Sequence, residues 1–436
     1  MNFKPKKFSA KNVAIVAGVR TPFAKAGTDL APLSAVDLGV LATQEVLARA
    51  ELDPEEVDHV IIGNVAQPAN AANISRVIAL FAGIPKRVPA VTVQRNCASG
   101  LESISLGAIQ IATGQADVCL VGGTESMSNI PILFQDAFKD VFFRFAFAKT
   151  PALKLAALSR LKLKSLMPVI GLEEGLRDPV SGLNMGQTAE NLARDWKISR
   201  KEQDEFALHS HQKAVAARAK LADEIAAAYV PPKFSKSVSC DVGPRDNQTL
   251  EMLAKLKPYF EKPHGTITVG NACPVTDGAA MLILMSEEKA RAEGRKILGL
   301  IRSIEFSGCD PSRMGLGPAF ASPAALDSAG LSMRDVDLVE INEAFAAQVI
   351  ACEKAFDSDE FAKKYLGRSA KVGEIDRAKL NVNGGAIALG HPVGTSGTRL
   401  VLTILKELER RGQSVGLATM CIGGGQGGAC VVERVA

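Results

Sequence analysis

The feature that most constrains this chain is an internal repeat. Leu47, Ala50, Leu52, Val57, Asp58, Val60 and Ile62 recur as Leu326, Ala329, Leu331, Val336, Asp337, Val339 and Ile341, each pair 279 residues apart. Helix, turn and strand return in register, which two unrelated apolar strands would not do. The chain is therefore read as two homologous β/α halves, and such halves commonly place a site where strand ends meet.

Around the repeat, apolar strands alternate with amphipathic helices. Val13 to Val19 reads as a buried strand. Leu38, Leu41, Val46 and Leu47 line one face of a helix from about Ala35 to Ala50. Strands from Val57 to Gly63 and from Asp117 to Val121, closed by Gly122-Gly123, complete a β/α region. The alternation predicts an α/β fold with a mostly parallel sheet under helical cover. Residues 1–125 are assigned to the N-terminal half, 126–263 to an inserted helical cap, 264–290 to a return to the first half, and 291–436 to the C-terminal half. Lys354 to Lys379 reads as a polar insertion.

The net charge of +4 excludes a strongly basic nucleic-acid binder but leaves room for local patches toward an anionic substrate. None of the eight cysteines forms a C-x-x-C pair, and zinc-ligand spacing is absent, so neither a metal site nor a disulfide framework is expected. Met1 to Ala10 carries Lys4, Lys6 and Lys7 with no apolar run behind it. No run of about eighteen uncharged apolar residues follows elsewhere. A cytoplasmic enzyme with reduced thiols is the expectation, with peripheral membrane contact open. That contact would fall in residues 134–167, where Phe134, Phe138, Phe142, Phe143, Phe145 and Phe147 precede Lys149, Lys154, Arg160, Lys162 and Lys164. Such a stretch is either an interfacial or partner-binding helix pair, or a set of Phe side chains filling a subunit interface below a solvated basic face.

Four motifs carry chemistry. Asn96-Cys97-Ala98-Ser99-Gly100 ends a strand and opens a helix, where free N–H groups and the dipole are expected to favour a Cys97 thiolate. Asn342-Glu343-Ala344-Phe345 ends the repeated strand. His391 lies among glycines and a proline on a fixed loop, placed to take a proton from a thiol. Cys421 ends the strand Val415 to Met420 and precedes Gly423-Gly424-Gly425, whose bare backbone can approach an oxyanion.

These motifs, with Arg20-Thr21-Pro22-Phe23, Met185-Gly186-Gln187-Thr188 and Asn271 to Ala280, resemble the thiolases over almost the whole chain. The stretch Lys154 to Pro168 and the insertion near Phe361 most resemble the β subunit of the fatty-acid-oxidation trifunctional complex. The resemblance implies a duplicated five-layer α/β/α/β/α fold with an inserted cap. It also implies a 3-ketoacyl-CoA thiolase (acetyl-CoA acyltransferase) that uses CoA as co-substrate, with no permanently bound cofactor. Cys97 would be the nucleophile that carries the acyl group, His391 its base, and Cys421 the second acid/base. Asn342, acting through a water, and His391 would hold one oxyanion; the Cys97 and Gly423 N–H groups would hold the other. Met185, Cys273 and Arg245 are candidate CoA contacts, although Cys273 stands where many thiolases carry Ser. Family members are homodimers or homotetramers, and the nearest kind assembles with a hydratase/dehydrogenase α subunit. Asn342 departs from the trifunctional pattern, which has His there, and it keeps an acetyl-CoA acetyltransferase in play. A ketoacyl synthase, a Cys/His hydrolase and a non-catalytic lipid carrier each leave Cys421 or the full set without a role.

Overall fold

The computed structural model describes residues 11–435, so the basic stretch Met1 to Ala10 lies outside the described residues. The first half contributes β1 (Val13–Arg20), β2 (Ala24–Lys25), β3 (His59–Gly63), β4 (Ala90–Val93) and β5 (Val118–Ser126). Four short strands pair off away from the main sheet, β6 (Ile132–Phe134) with β7 (Pro168–Ile170) and β8 (Ala228–Val230) with β9 (Lys236–Val238). The long β10 (Thr276–Ser286) then returns to the first half. The second half holds β11 (Gly299–Gly308), β12 (Leu338–Ile341), β13 (Val415–Ile422) and β14 (Gln426–Glu433).

One sheet runs in the order β12-β13-β14-β11-β1-β10-β5-β3-β4, with β2 on β10. The two sides of the β1–β11 seam mirror each other except that β4 has no counterpart strand beyond β12, and at the seam only Ala14 with Leu300 and Ile15 with Gly299 pair. The repeat is structural in detail. Asp58 Oδ2 accepts the N–H groups of Asp117 and Val118, and Asp337 Oδ2 accepts those of Ser414 and Val415, all at 2.8–2.9 Å. The 3₁₀ turns Pro54–Glu56 and Met333–Asp335 occupy the same place in the two halves.

Three apolar cores define five layers. Helices Ala35–Ala50 and Ile74–Phe81 cover the outer face of the first half. Helices Gly317–Ala329 and Ala346–Phe356 cover that of the second. Between the two sheet halves lie the helices Ser99–Ala112 and Ser396–Arg411, whose Leu101, Ile104, Leu400 and Ile404 share a core with Val121, Leu284, Met420 and Val432. The sheet is not mostly parallel. Only β3 with β4 and β5, and β12 with β13, run parallel; β1, β10, β11 and β14 are joined by antiparallel ladders. Both faces of the sheet are covered, so antiparallel strands such as β1 carry the unbroken apolar run that usually marks parallel ones. Nor does the strand from Asp117 end at Gly122-Gly123; β5 continues to Ser126.

Residues between β5 and β10 form the cap, including the helices Asp136–Phe147, Pro151–Leu158, Met185–Asp195 and Arg200–Ala216. A buried ionic clamp fastens it. Arg20, at the end of β1, donates from Nε to Glu224 and through both terminal nitrogens to Asp241, at 2.6–2.8 Å. The stretch expected as a polar insertion begins inside a helix, and it sends Phe356, Phe361 and Ile375 into the core of the second half.

Candidate active site

The turn between β4 and the Ser99 helix presents Cys97. Asn96 takes a left-handed φ of 44°, a conformation that Asn tolerates better than most residues. Ser99 Oγ accepts the Arg95 N–H and donates to Asn96 O, which closes the turn. The Arg95 guanidinium lies 4.2 Å from the Phe306 ring centroid and donates to Glu102, so the turn is gripped from both halves. Asn96 Nδ2 donates to Gly423 O at 2.7 Å and thereby fixes the β13–β14 turn beside Cys97.

In that turn Gly424 and Gly425 have φ of 89° and 79°, which side-chain-bearing residues rarely adopt. The N–H groups of Gly423 and of Cys97 itself lie near enough to the Cys97 sulfur to favour its charged form. Burial nevertheless raises the thiol above its ordinary pKa, and the Glu125 charge adds to the rise. The expected thiolate-favouring helix head is thus corrected: desolvation outweighs the two N–H donors, and Cys97 rests as a thiol.

His391 is buried at the adjacent helix entrance. Its N–H donates to Thr276 Oγ1 at 3.1 Å, and its Nδ1 lies 2.6 Å from Ser396 Oγ. Ser396 Oγ also lies 3.2 Å from Pro392 O, where its single proton belongs, so Nδ1–H is the donor to Ser396. Nε2 is then the basic nitrogen, and it faces Asn342 Nδ2 at 3.5 Å. Burial, with the Arg399 charge second, holds the imidazole down at about 3 and therefore neutral. Asn342 is fully buried, and its Oδ1 has no protein partner.

Cys421 sits near the end of β13, opposite Gly427 and 1% exposed, its pKa raised well above that of a free thiol by burial and then by the neighbouring cysteines, Cys97 foremost. It packs with Met314, Phe345, Met185 and Cys273. Met185 opens the cap helix Met185–Asp195, and its sulfur would lie 3.3 Å from a Cβ placed on Gly423. The Cys273 N–H donates to Ala344 O at 3.0 Å, beside the Asn342 motif, and burial pushes its thiol up to about 12.

Cys97, Gly423, Cys421, Met185 and Cys273 therefore gather at one place, with His391 and Asn342 paired at the neighbouring strand end. Arg245 is not part of this gathering. It is exposed on a cap loop, with its N–H on His211 and its guanidinium 3.4 Å from Gln248 Oε1. Among the described residues, no cluster of three or more His, Cys, Asp or Glu could hold a metal ion.

Two residues escaped the sequence reading. Ser396, five residues after His391, orients its imidazole. Glu125 is a buried carboxylate whose isolated position at the end of an apolar strand gives no spacing signal.

Chemically, the arrangement offers a thiol with two N–H groups at its sulfur, a neutral imidazole with one free nitrogen, and a second buried thiol. Family models match along nearly the whole chain: "Thiolase, N-terminal domain" over residues 13–288 and "Thiolase, C-terminal domain" over 295–434. The 3-ketoacyl-CoA thiolase of Yersinia enterocolitica is 43% identical over 97% of this chain and 96% of its own. The acetyl-CoA acetyltransferase of Bacillus anthracis superposes with a TM-score of 0.86 at 38% identity, covering 98% of this chain and 100% of its own. The human mitochondrial 3-ketoacyl-CoA thiolase, solved in complex with CoA, gives 0.85 at 40% identity, covering 98% of both chains.

Proposed function

The chain belongs to the thiolase family, and from that premise we propose that it is a 3-ketoacyl-CoA thiolase of fatty-acid β-oxidation. The observation that carries the chemistry is the 2.7 Å bond from Asn96 Nδ2 to Gly423 O, which joins the glycine turn of the second half to the Cys97 turn of the first and sets the Gly423 N–H near the sulfur. Donors so placed can hold the oxyanion of an adduct formed at that sulfur.

Cys97 gives its proton to His391 Nε2 and attacks the 3-keto carbon of a 3-ketoacyl-CoA. The new C–S bond leaves an oxyanion on the Cys97 and Gly423 N–H groups. Collapse of this adduct breaks the bond between C2 and C3, and the electron pair departs as the enolate of acetyl-CoA. The enolate oxygen is stabilised by protonated His391 and, through a water, by Asn342. Cys421 then protonates the enolate carbon; a thiol held neutral by burial suits so basic an acceptor. The Cys421 thiolate next takes the proton of an incoming CoA thiol. That sulfur attacks the Cys97 thioester and releases the shortened acyl-CoA, and the departing Cys97 thiolate takes back the proton held on His391 Nε2. CoA is substrate throughout. Met185 and Cys273 border its path, and Arg245, whose guanidinium is lightly held, is the cap cation proposed for its phosphates.

Intact-protein mass spectrometry after incubation with mixed acyl-CoAs tests this reading. Acylation confined to Cys97, lost in Cys97→Ser and dependent on CoA for release, is the expected result. Acyl adducts that survive Cys97→Ser would overturn it. Asn342 and the acetyltransferase relative favour a second reading, synthesis or cleavage of acetoacetyl-CoA, and turnover confined to that substrate would select it.

The surface at residues 134–167 supports a peripheral place on a lipid bilayer. Phe142, Phe143, Phe147, Leu155 and Leu163 are exposed along the helices Asp136–Phe147 and Pro151–Leu158 and the turn that follows. No acid falls between Asp140 and Glu173, and Lys149, Lys154, Arg160, Lys162 and Lys164 are all exposed. An apolar face ringed by cations complements anionic headgroups. The protein should co-sediment with phosphatidylserine vesicles and lose this when Phe142, Phe143 and Phe147 are replaced by Ser. Failure to bind, with an α subunit or a second copy covering the patch instead, would refute the membrane assignment. A homodimeric or homotetrameric core in the cytoplasm completes the proposal, and sedimentation velocity checks the oligomer.

A further inference from the structure

The loop that carries His391 is held on both sides of the histidine by buried carboxylates, one from each half of the molecule. Glu125, near the end of β5, accepts the N–H groups of Gly394 and Val65 on Oε2, both at 3.0 Å. Its Oε1 accepts from Asn64 Nδ2 and the Ala66 N–H, both at 3.1 Å. Glu343, just after β12, accepts from Ser210 Oγ at 2.6 Å and the Ile387 N–H at 3.2 Å on Oε2, and from Asn381 Nδ2 at 2.8 Å on Oε1. Ile387 and Gly394 lie on either side of His391. A methyl group at Gly394 would come within 2.7 Å of Glu125 Oε2, and one at Gly385 would overlap the Glu343 carboxyl, so the loop is glycine where the acids press against it.

Neither carboxylate is at most 1% exposed by accident of packing alone, for each spends both oxygens on donors and neither forms an ion pair among the described residues. Only a group that accepts on both oxygens fits. A Gln amide would set its own N–H groups against Gly394, Val65 or Ile387. The titratable and charged groups nearby are few. Asp277 on β10 and the Cys97 thiol face Glu125, and Arg399, Glu340, Lys213 and the Cys273 thiol lie around Glu343.

We propose that Glu125 and Glu343 are positioning residues for His391, each fixing one side of its loop so that Nε2 stays opposite Asn342 and beside the Cys97 turn. The inference rests on His391 being the proton acceptor of the proposed thiolase reaction. Glu125 is pushed up to about 7 by burial, against the pull of the three backbone N–H groups. Its grip on Gly394 therefore weakens as pH falls through neutrality, while His391 itself remains unprotonated.

The test is the rate of Cys97 acylation by a 3-ketoacyl-CoA, followed by quenched intact mass, in the full-length protein. Glu125→Gln and Glu343→Gln should each slow acylation about 10–100-fold with KM unchanged, the loss expected of a misplaced reacting group. The double variant should lose less than the product of the two, because both hold one loop. The wild-type rate should fall below about pH 7, and Glu125→Gln should lack that limb. Asn64→Ala and Ser210→Ala each remove one bond to a carboxylate and leave the acid in place. They should show a smaller loss of the same kind, which keeps the test open if the Gln variants do not fold. Folded variants that acylate at the wild-type rate, or that lose rate only in step with melting temperature, would overturn the inference. If His391→Ala acylates normally, the proposed reaction fails instead.

Discussion

At the scale of single residues, the site is electrically quiet. Burial keeps Cys97 a thiol, and His391, at about 3, stays neutral. Both shifts favour a resting thiol beside a neutral imidazole over a thiolate–imidazolium pair. The measurable consequence lies in Cys97 alkylation by iodoacetamide without substrate. Its rate should still be climbing above pH 9 rather than levelling off near neutrality. Cys97, His391 and Cys421 were legible in the sequence because each interrupts its pattern: a polar turn after an apolar strand, a histidine among glycines, a cysteine before three more. Their ionisation was not legible. A helix start can be read from spacing, whereas desolvation depends on how closely residues hundreds of positions away pack around the sulfur. Glu125 was hidden for the same reason, since its partners lie at Asn64 to Ala66 and at Gly394.

At the scale of elements, the one polar pair in the repeat does the same structural job in both halves. Asp58 and Asp337 each bind two successive N–H groups at the start of the neighbouring parallel strand. Asp58→Ala and Asp337→Ala should each cost about 1–3 kcal/mol by leaving those donors poorly paired. The two losses should add in urea unfolding, because the sites belong to opposite halves; a marked departure from additivity would mean that the staples are not independent. Strands β1, β3, β5, β12 and β13 were legible, but β11, β14 and the direction in which neighbours pair were not. Periodicity reports which faces are buried, and in a sheet covered on both sides that signal is the same for parallel and antiparallel neighbours.

At the scale of the whole molecule, the cap is held to the first half by charge as well as by apolar packing. Arg20 is fully buried against Glu224 and Asp241, and Glu224 also accepts from Thr403 on the central helix Ser396–Arg411. Arg20→Ala would strand two carboxylates in the interior and should destabilise the protein by about 3–5 kcal/mol. Arg20→Ala unfolding at wild-type denaturant concentrations would show that the clamp adds nothing. The cap is expected where the strand–helix alternation breaks, but this clamp joins residues 204 and 221 positions apart and lies beyond any local pattern.

The reach of the Asn96–Gly423 bond, 327 residues, makes enzymatic activity a clock for the last stage of folding. The outer core of the first half draws mainly on its own strands and helices, and that of the second on its own elements plus cap residues such as Leu192, Phe206 and Leu253, whereas the Cys97 and Gly423 turns meet only when the central layer closes. Closure over such long loops is slow compared with local structure. On dilution from denaturant, helical signal should return first and Cys97 acylation last, by a measurable delay. A newly made chain would thus complete most of its secondary structure before it could carry an acyl group.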